Sequence, residues 1–133
     1  MDDKKIKGLI KVFKQFDSLK LVYLFGSRAS TQLENNYTGL SDYDFAFYID
    51  KKKVEAFQIS LEIAAQLSLY LKTENIDTVV INHLDMPELK YSIISDGRII
   101  YEVEPYQVII EPKIINEFFD FRDSLRKYSL TGT

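Results

Sequence analysis

The sequence has no cysteine and no tryptophan, and it contains a single histidine, His83. Without cysteine, neither a disulfide framework nor a thiolate zinc site can form. No excess of positive charge is present either: the net charge of −3 argues against a broad face for direct nucleic-acid binding. No apolar run approaches the roughly 20 residues that cross a bilayer, and the N-terminus opens with charged residues. We therefore expect a cytoplasmic protein with no membrane partner.

What the sequence does contain is typical of a folded globular protein. It has 133 residues, of which 46% are hydrophobic and 28% charged, so we expect residues 1–133 to form a single domain. We expect most of the 9 tyrosines and 9 phenylalanines in the core, but so many aromatic residues in a small domain leave room for a protein interface.

Hydrophobic spacing divides the chain into helices and strands. Apolar residues at three- and four-residue steps predict helices over about 4–19, 53–72, 86–95 and 112–128. Apolar and β-branched runs predict strands at 21–25, 43–49 and 78–81, and residues 98–101 would form a fourth or edge strand. This order predicts an α/β (α+β) fold in which helices cover a small mixed β-sheet.

Two local features concern the ends of these elements. Asp85 and Glu88 have the spacing of a capping box, with Pro87 in the first turn of the helix that follows. The segment 104–111 stays open between strand and helix, because its β-branched run lies between Pro105 and Pro112.

The chemistry is concentrated between residues 21 and 49. A strand that is apolar throughout ends at Gly26-Ser27, and Asp42 and Asp44 stand at the start of the next strand. Side chains two residues apart on a strand point to the same side, so the two carboxylates are expected to project together. Isolated carboxylates are costly to desolvate, and a divalent cation explains the pair economically. Oxygen ligands of this kind suit Mg²⁺.

Residues on both sides of this pair complete the predicted site. Asp77, on the third strand, is the best candidate for a third carboxylate, and three carboxylates allow a two-metal clamp for phosphoryl transfer. Gly26 lets the backbone approach a phosphate, the Ser27 hydroxyl donates to its oxygens, and Arg28 adds charge. Each signal has an ordinary alternative, because Gly-Ser is a common turn and Asp77 can simply belong to one.

At these residues the sequence resembles the minimal nucleotidyltransferase domain of the polymerase-β superfamily. That signature is Gly-Ser, a variable loop, Asp-x-Asp and a later acidic residue, here Gly26-Ser27, Asp42-Tyr43-Asp44 and Asp77. The stretches 76–82 and 95–102, and the aromatic-Asp-aromatic patch at 119–121, resemble the antitoxins paired with HEPN ribonuclease toxins. The loop of 14 residues between Ser27 and Asp42 is longer than is usual in the family.

The resemblance implies a nucleotidyltransferase fold and a Mg²⁺-dependent enzyme that transfers AMP from ATP to a tyrosine of a HEPN-domain toxin in a hetero-oligomer. It implies that Asp42, Asp44 and Asp77 bind metal and act in catalysis, with Asp77 assisting deprotonation of the attacking hydroxyl. Gly26, Ser27 and Arg28 would contact the nucleotide. Two alternatives stay open: an antitoxin that neutralises the toxin only by covering it, and a nucleotidyltransferase for a small molecule.

Overall fold

The computed structural model describes residues 2–26 and 42–132, with side chains up to residue 128. The helices are α1 (Asp3–Phe13), α2 (Lys53–Leu71), α3 (Pro87–Asp96) and α4 (Tyr106–Gly132). The strands are β1 (Leu19–Phe25), β2 (Tyr43–Ile49), β3 (Ile76–Val80) and β4 (Arg98–Glu102). None of the helices in the described ranges combines the length and apolar character that a membrane span requires.

The four strands form one mixed sheet in the order β3-β2-β1-β4. The central strand β1 runs antiparallel to both β2 and β4, whereas β2 and β3 are parallel. The fold class predicted from the sequence, a small mixed sheet covered by helices, is confirmed. The segment predicted as a fourth or edge strand is β4, which lies at one edge of the sheet.

Each face of the sheet carries its own apolar core. On one face α1 and α2 cover a cluster centred on Phe13, whose ring meets Phe45 and Phe47 edge-on with both centroid distances at 6.4 Å. On the other face α3 and α4 cover a second cluster that includes Tyr23 and Ala46. Residues 21–25 of β1 are all apolar because this stretch packs against helices on both faces of the sheet, whereas Lys20 near the start of the strand is half-buried.

Two sequence predictions of helix boundaries were wrong. Helix α1 ends at Phe13 rather than near residue 19, because Leu19 already pairs with Ile49 in the sheet. The open segment 104–111 is helical from residue 106, and α4 continues through Pro112. The helix continues through Pro112 because Ile110 and Ile114, one helical turn apart, pack against the sheet, while Pro112 lies on the exposed side of the helix.

The start of α3 also differs from the prediction. Pro87 occupies the first turn as expected, but Met86 is the N-cap residue and no side chain caps the helix. The capping box predicted at Asp85 and Glu88 therefore does not form. Gly97 ends the helix as its position in the sequence indicated, and its N–H donates to the carbonyl of Ile93 at 2.9 Å.

Candidate active site

Three strands have their ends at one end of the sheet, and they bring Asp44 and Asp77, two of the predicted site residues, together. Strand β1 ends there, whereas β2 and β3 begin there. Phe25 pairs with Asp44, and Asp44 pairs in turn with Asp77 across the parallel strands. Residues in register on neighbouring strands project to the same face. Asp44 and Asp77 are therefore neighbours on the face of the sheet that α3 and α4 cover further along.

Gly26 brings the backbone directly against one of these carboxylates. Its φ of +74° lies in the left-handed region, which residues with a Cβ rarely adopt. A Cβ placed there would collide with Oδ2 of Asp44 and would lie 3.2 Å from its Cγ. Glycine is thus required both by the turn after β1 and by the Asp44 carboxylate that lies beside it.

Asp42 is held differently from Asp44. It lies at a bend just before β2, so the alternation of strand side chains does not set its direction. Its Oδ2 accepts a hydrogen bond of 2.7 Å from the Thr73 hydroxyl, and its N–H donates to the Asn75 carbonyl at 2.8 Å. The turn between α2 and β3 therefore holds Asp42 at the end of the sheet where β2 and β3 begin.

The described residues at this end of the sheet present carboxylate oxygens, a type of ligand that Mg²⁺ accepts. Within residues 2–26 and 42–132, no three His, Cys, Asp or Glu side chains converge as a complete metal cage. Mg²⁺ does not need one, because it binds through one or two carboxylates and takes its remaining ligands from water and substrate phosphates. Asp44 and Asp77 are two carboxylates in register, and Asp42 precedes the same strand as Asp44.

The remaining candidates are distributed unevenly. Ser27 and Arg28, together with the long loop up to residue 41, lie outside the described residues, and their roles stay predictions. His83 follows β3 at the opposite end of the sheet, where its Nε2 lies 2.7 Å from the Lys51 carbonyl oxygen. Sequence reasoning missed Thr73, since only its contact with Asp42, 31 positions away in the chain, distinguishes it from other surface threonines.

Residues 7–106 match the family model described as polymerase beta, nucleotidyltransferase. The chain belongs to this nucleotidyltransferase family. Most of the described structure falls within the match, including Gly26 and the three candidate aspartates Asp42, Asp44 and Asp77. The match takes in most of α1, the whole sheet, α2 and α3, and the resemblance to the nucleotidyltransferase family is confirmed.

Solved structures share the fold of this nucleotidyltransferase. One is the toxin–antitoxin MntA–HepT, with a TM-score of 0.68 at 17% identity over 98% of this chain and 97% of the other. A second is a tri-AMPylated Shewanella oneidensis HEPN toxin in complex with an MNT antitoxin, with a TM-score of 0.69 at 19% identity over 99% and 98%. A third, a toxin–antitoxin with AMP-PNP, has a TM-score of 0.68 at 20% identity over 99% and 98%.

A comparison with curated proteins finds no match to the sequence. The family model establishes nucleotidyltransferase membership, and the solved structures establish a fold shared along nearly the full length of the chain.

Proposed function

We propose that this protein is an antitoxin that uses Mg²⁺ and ATP to adenylylate a tyrosine of a HEPN-domain toxin and thereby neutralises it. One observation carries the proposal: Asp44 and Asp77 are register partners beside a glycine that admits the backbone to within contact of Asp44. The proposal also draws on similar structures, in which a HEPN toxin is AMPylated and a toxin–antitoxin holds AMP-PNP.

In the proposed reaction, the tyrosine oxygen of the toxin forms a bond to the α-phosphorus of ATP. The bond between that phosphorus and the oxygen bridging to the β-phosphate breaks, and pyrophosphate leaves. Asp77 accepts the proton of the attacking hydroxyl, and Gly26 and Ser27 bind the phosphates by close backbone approach and hydroxyl donation. Arg28 contributes positive charge toward the same phosphates.

Asp42, Asp44 and Asp77 are the residues that would hold Mg²⁺. When bound, Mg²⁺ neutralises charge that develops on the phosphate oxygens and helps to orient the nucleotide. The protein would place these ligands in two ways. Strands β2 and β3 hold Asp44 and Asp77 in register, and Asp42 accepts a hydrogen bond from the Thr73 hydroxyl.

A protein partner accords with the surface of the described part of the chain. Large apolar side chains that are at least half exposed lie on α2, on α4 and at the N-cap of α3: Val54, Phe57, Leu61, Leu69, Met86, Val108, Leu125 and Tyr128. Four of them are on α2, and exposed apolar side chains on one helix are a surface that a protein partner can cover. We propose that the protein acts in the cytoplasm as a single domain in a hetero-oligomer with its toxin.

The experiment is incubation of the purified protein with Mg²⁺, ATP and the product of the neighbouring gene, which the proposal expects to be the HEPN toxin, followed by intact-mass measurement. We expect the toxin to gain one or more AMP units and to lose RNA cleavage. The double variant Asp42→Ala, Asp44→Ala should abolish the gain, whereas Asp85→Ala removes an exposed carboxylate elsewhere and should not. A stable complex that silences the toxin with no mass gain would instead support an antitoxin that acts by covering, for which the exposed apolar residues are the supporting observation.

A further inference from the structure

Thr73, in the turn after α2, contacts the carboxylate of Asp42 directly. Its hydroxyl donates to Oδ2 of Asp42 at 2.7 Å and accepts the N–H of Asn75 at 3.1 Å. A hydroxyl has one hydrogen to donate, and here the Asn75 amide occupies an acceptor position of the same oxygen. The donor is therefore oriented toward Asp42 by the local backbone.

The backbone around Thr73 is itself constrained. Lys72 ends α2 in the left-handed conformation, with φ of 57°, and the Thr73 N–H returns to the Ser68 carbonyl at 3.3 Å. Two residues later, the Asn75 carbonyl accepts the N–H of Asp42 at 2.8 Å. The end of α2 and the start of β2 are thus joined by a side-chain and a backbone hydrogen bond.

We propose that Thr73 is a positioning residue that holds the Asp42 carboxylate for a divalent cation bound with nucleotide. This inference rests on the proposed function. An exposed aspartate outside a strand has several rotamers, and a bound cation requires one of them. The threonine hydroxyl selects an orientation through one oxygen and brings no positive charge that would compete with the cation. A carboxylate has about four lone-pair positions, so this bond is compatible with metal coordination.

Hydrogen-bond partners of metal-binding carboxylates have measurable effects on affinity. Removal of such a partner costs about 10- to 100-fold in metal affinity in characterised sites. Thr73→Val keeps the shape of the side chain and removes the hydroxyl, and we expect a weakening in that range. Thr73→Ser keeps the donor, so its Mn²⁺ affinity should stay close to that of the original protein.

The test is a titration of Mn²⁺ by electron paramagnetic resonance in the presence of α,β-methylene ATP, whose α–β linkage does not cleave. The original protein, Thr73→Val and Thr73→Ser are compared at a temperature where unfolding curves show all three to be folded. A weaker Mn²⁺ affinity in the valine variant, restored by serine, supports the proposal. A structural role alone would lower the unfolding temperature and leave the Mn²⁺ affinity unchanged.

The outcomes distinguish a failure of the positioning role of Thr73 from a failure of the proposed function. If the original protein binds Mn²⁺ with the analogue and Thr73→Val binds it equally well, the positioning role is refuted while the proposed function stands. If the original protein binds neither, the metal-dependent function fails and the role of Thr73 fails with it. With the toxin present, the valine variant should also need about 10- to 100-fold more Mg²⁺ for half-maximal transfer and approach the original rate at saturation.

Discussion

Replacing Tyr23 by phenylalanine should destabilise the protein through a single lost hydrogen bond. Tyr23 lies in the middle of β1 and is 2% exposed, and its hydroxyl donates to Oε2 of Glu111 on α4 at 2.5 Å. Hydrogen bonds to charged groups contribute about 1.5–3 kcal/mol. Glu111 keeps a second donor, the Gln107 amide at 3.1 Å, so it is not left unsatisfied. We therefore expect a loss of about 2 kcal/mol for Tyr23→Phe at neutral pH.

The same residue predicts how this difference changes with pH. Burial, followed by the hydrogen bond to Glu111 and the charges of Glu111 and Glu102, raises the pKa of Tyr23 far above its ordinary value of 10.0. Above about pH 10 the unfolded chain loses this proton while the folded protein keeps it, so the contribution of Tyr23 is present below pH 10 and is lost as the pH rises. The advantage over Tyr23→Phe should then shrink by about 1.4 kcal/mol per pH unit.

Other tyrosines change stability in the same direction but do not disturb the comparison. Burial raises the pKa of Tyr48 and of Tyr101, with smaller effects of Asp50 and Asp17 respectively. These groups titrate equally in the original protein and in Tyr23→Phe. Their contributions therefore cancel in the difference between the two unfolding free energies.

The assay is urea unfolding followed by circular dichroism between about pH 7 and 11. Tyr70→Phe is the matched control, because Tyr70 is 41% exposed and its hydroxyl lies 3.4 Å from the Lys5 carbonyl oxygen. It should cost no more than about 0.5 kcal/mol. Two results would refute the role assigned to the Tyr23–Glu111 hydrogen bond. One is equal stability of Tyr23→Phe and Tyr70→Phe at neutral pH, and the other is a stability difference between the original protein and Tyr23→Phe that does not shrink above about pH 10.

Three further predictions concern the site and the sheet. Gly26→Ala should abolish AMP transfer and lower the free energy of unfolding by about 1–2 kcal/mol, because the left-handed turn and the Asp44 carboxylate leave no room for a Cβ. Transfer of labelled AMP measures the first effect, and urea unfolding measures the second. Asp77→Asn should slow transfer by at least about 100-fold with an unchanged circular dichroism spectrum, and a rate near that of the original would remove Asp77 from the reaction. Asn82→Ala should lower the free energy of unfolding by about 2–3 kcal/mol, because the Asn82 amide accepts the N–H of buried Ile49 at 3.0 Å and donates to its carbonyl at 2.7 Å. Asn116 is exposed, and Asn116→Ala should be nearly neutral in the same unfolding assay.

Sequence patterns predicted elements well where the chemistry is local. The bounds of β2 and the end of α3 at Gly97 agree with the structure, because strand alternation and helix termination depend on neighbouring residues. Helix boundaries failed where distant contacts compete. Pro112 indicated an interruption, yet α4 continues through it because Ile110 and Ile114 are drawn against the sheet.

For the candidate site, the sequence alone determined the residue types and their order: Gly26 after an apolar strand, then Asp42 and Asp44, then Asp77. Those features are local and define a plausible chemistry. Only the tertiary structure decided that Asp77 is the register partner of Asp44 and that Thr73 holds Asp42. Parallel pairing and a hydrogen bond across 31 positions depend on how α2 crosses the sheet, a relation that no local pattern of residues encodes.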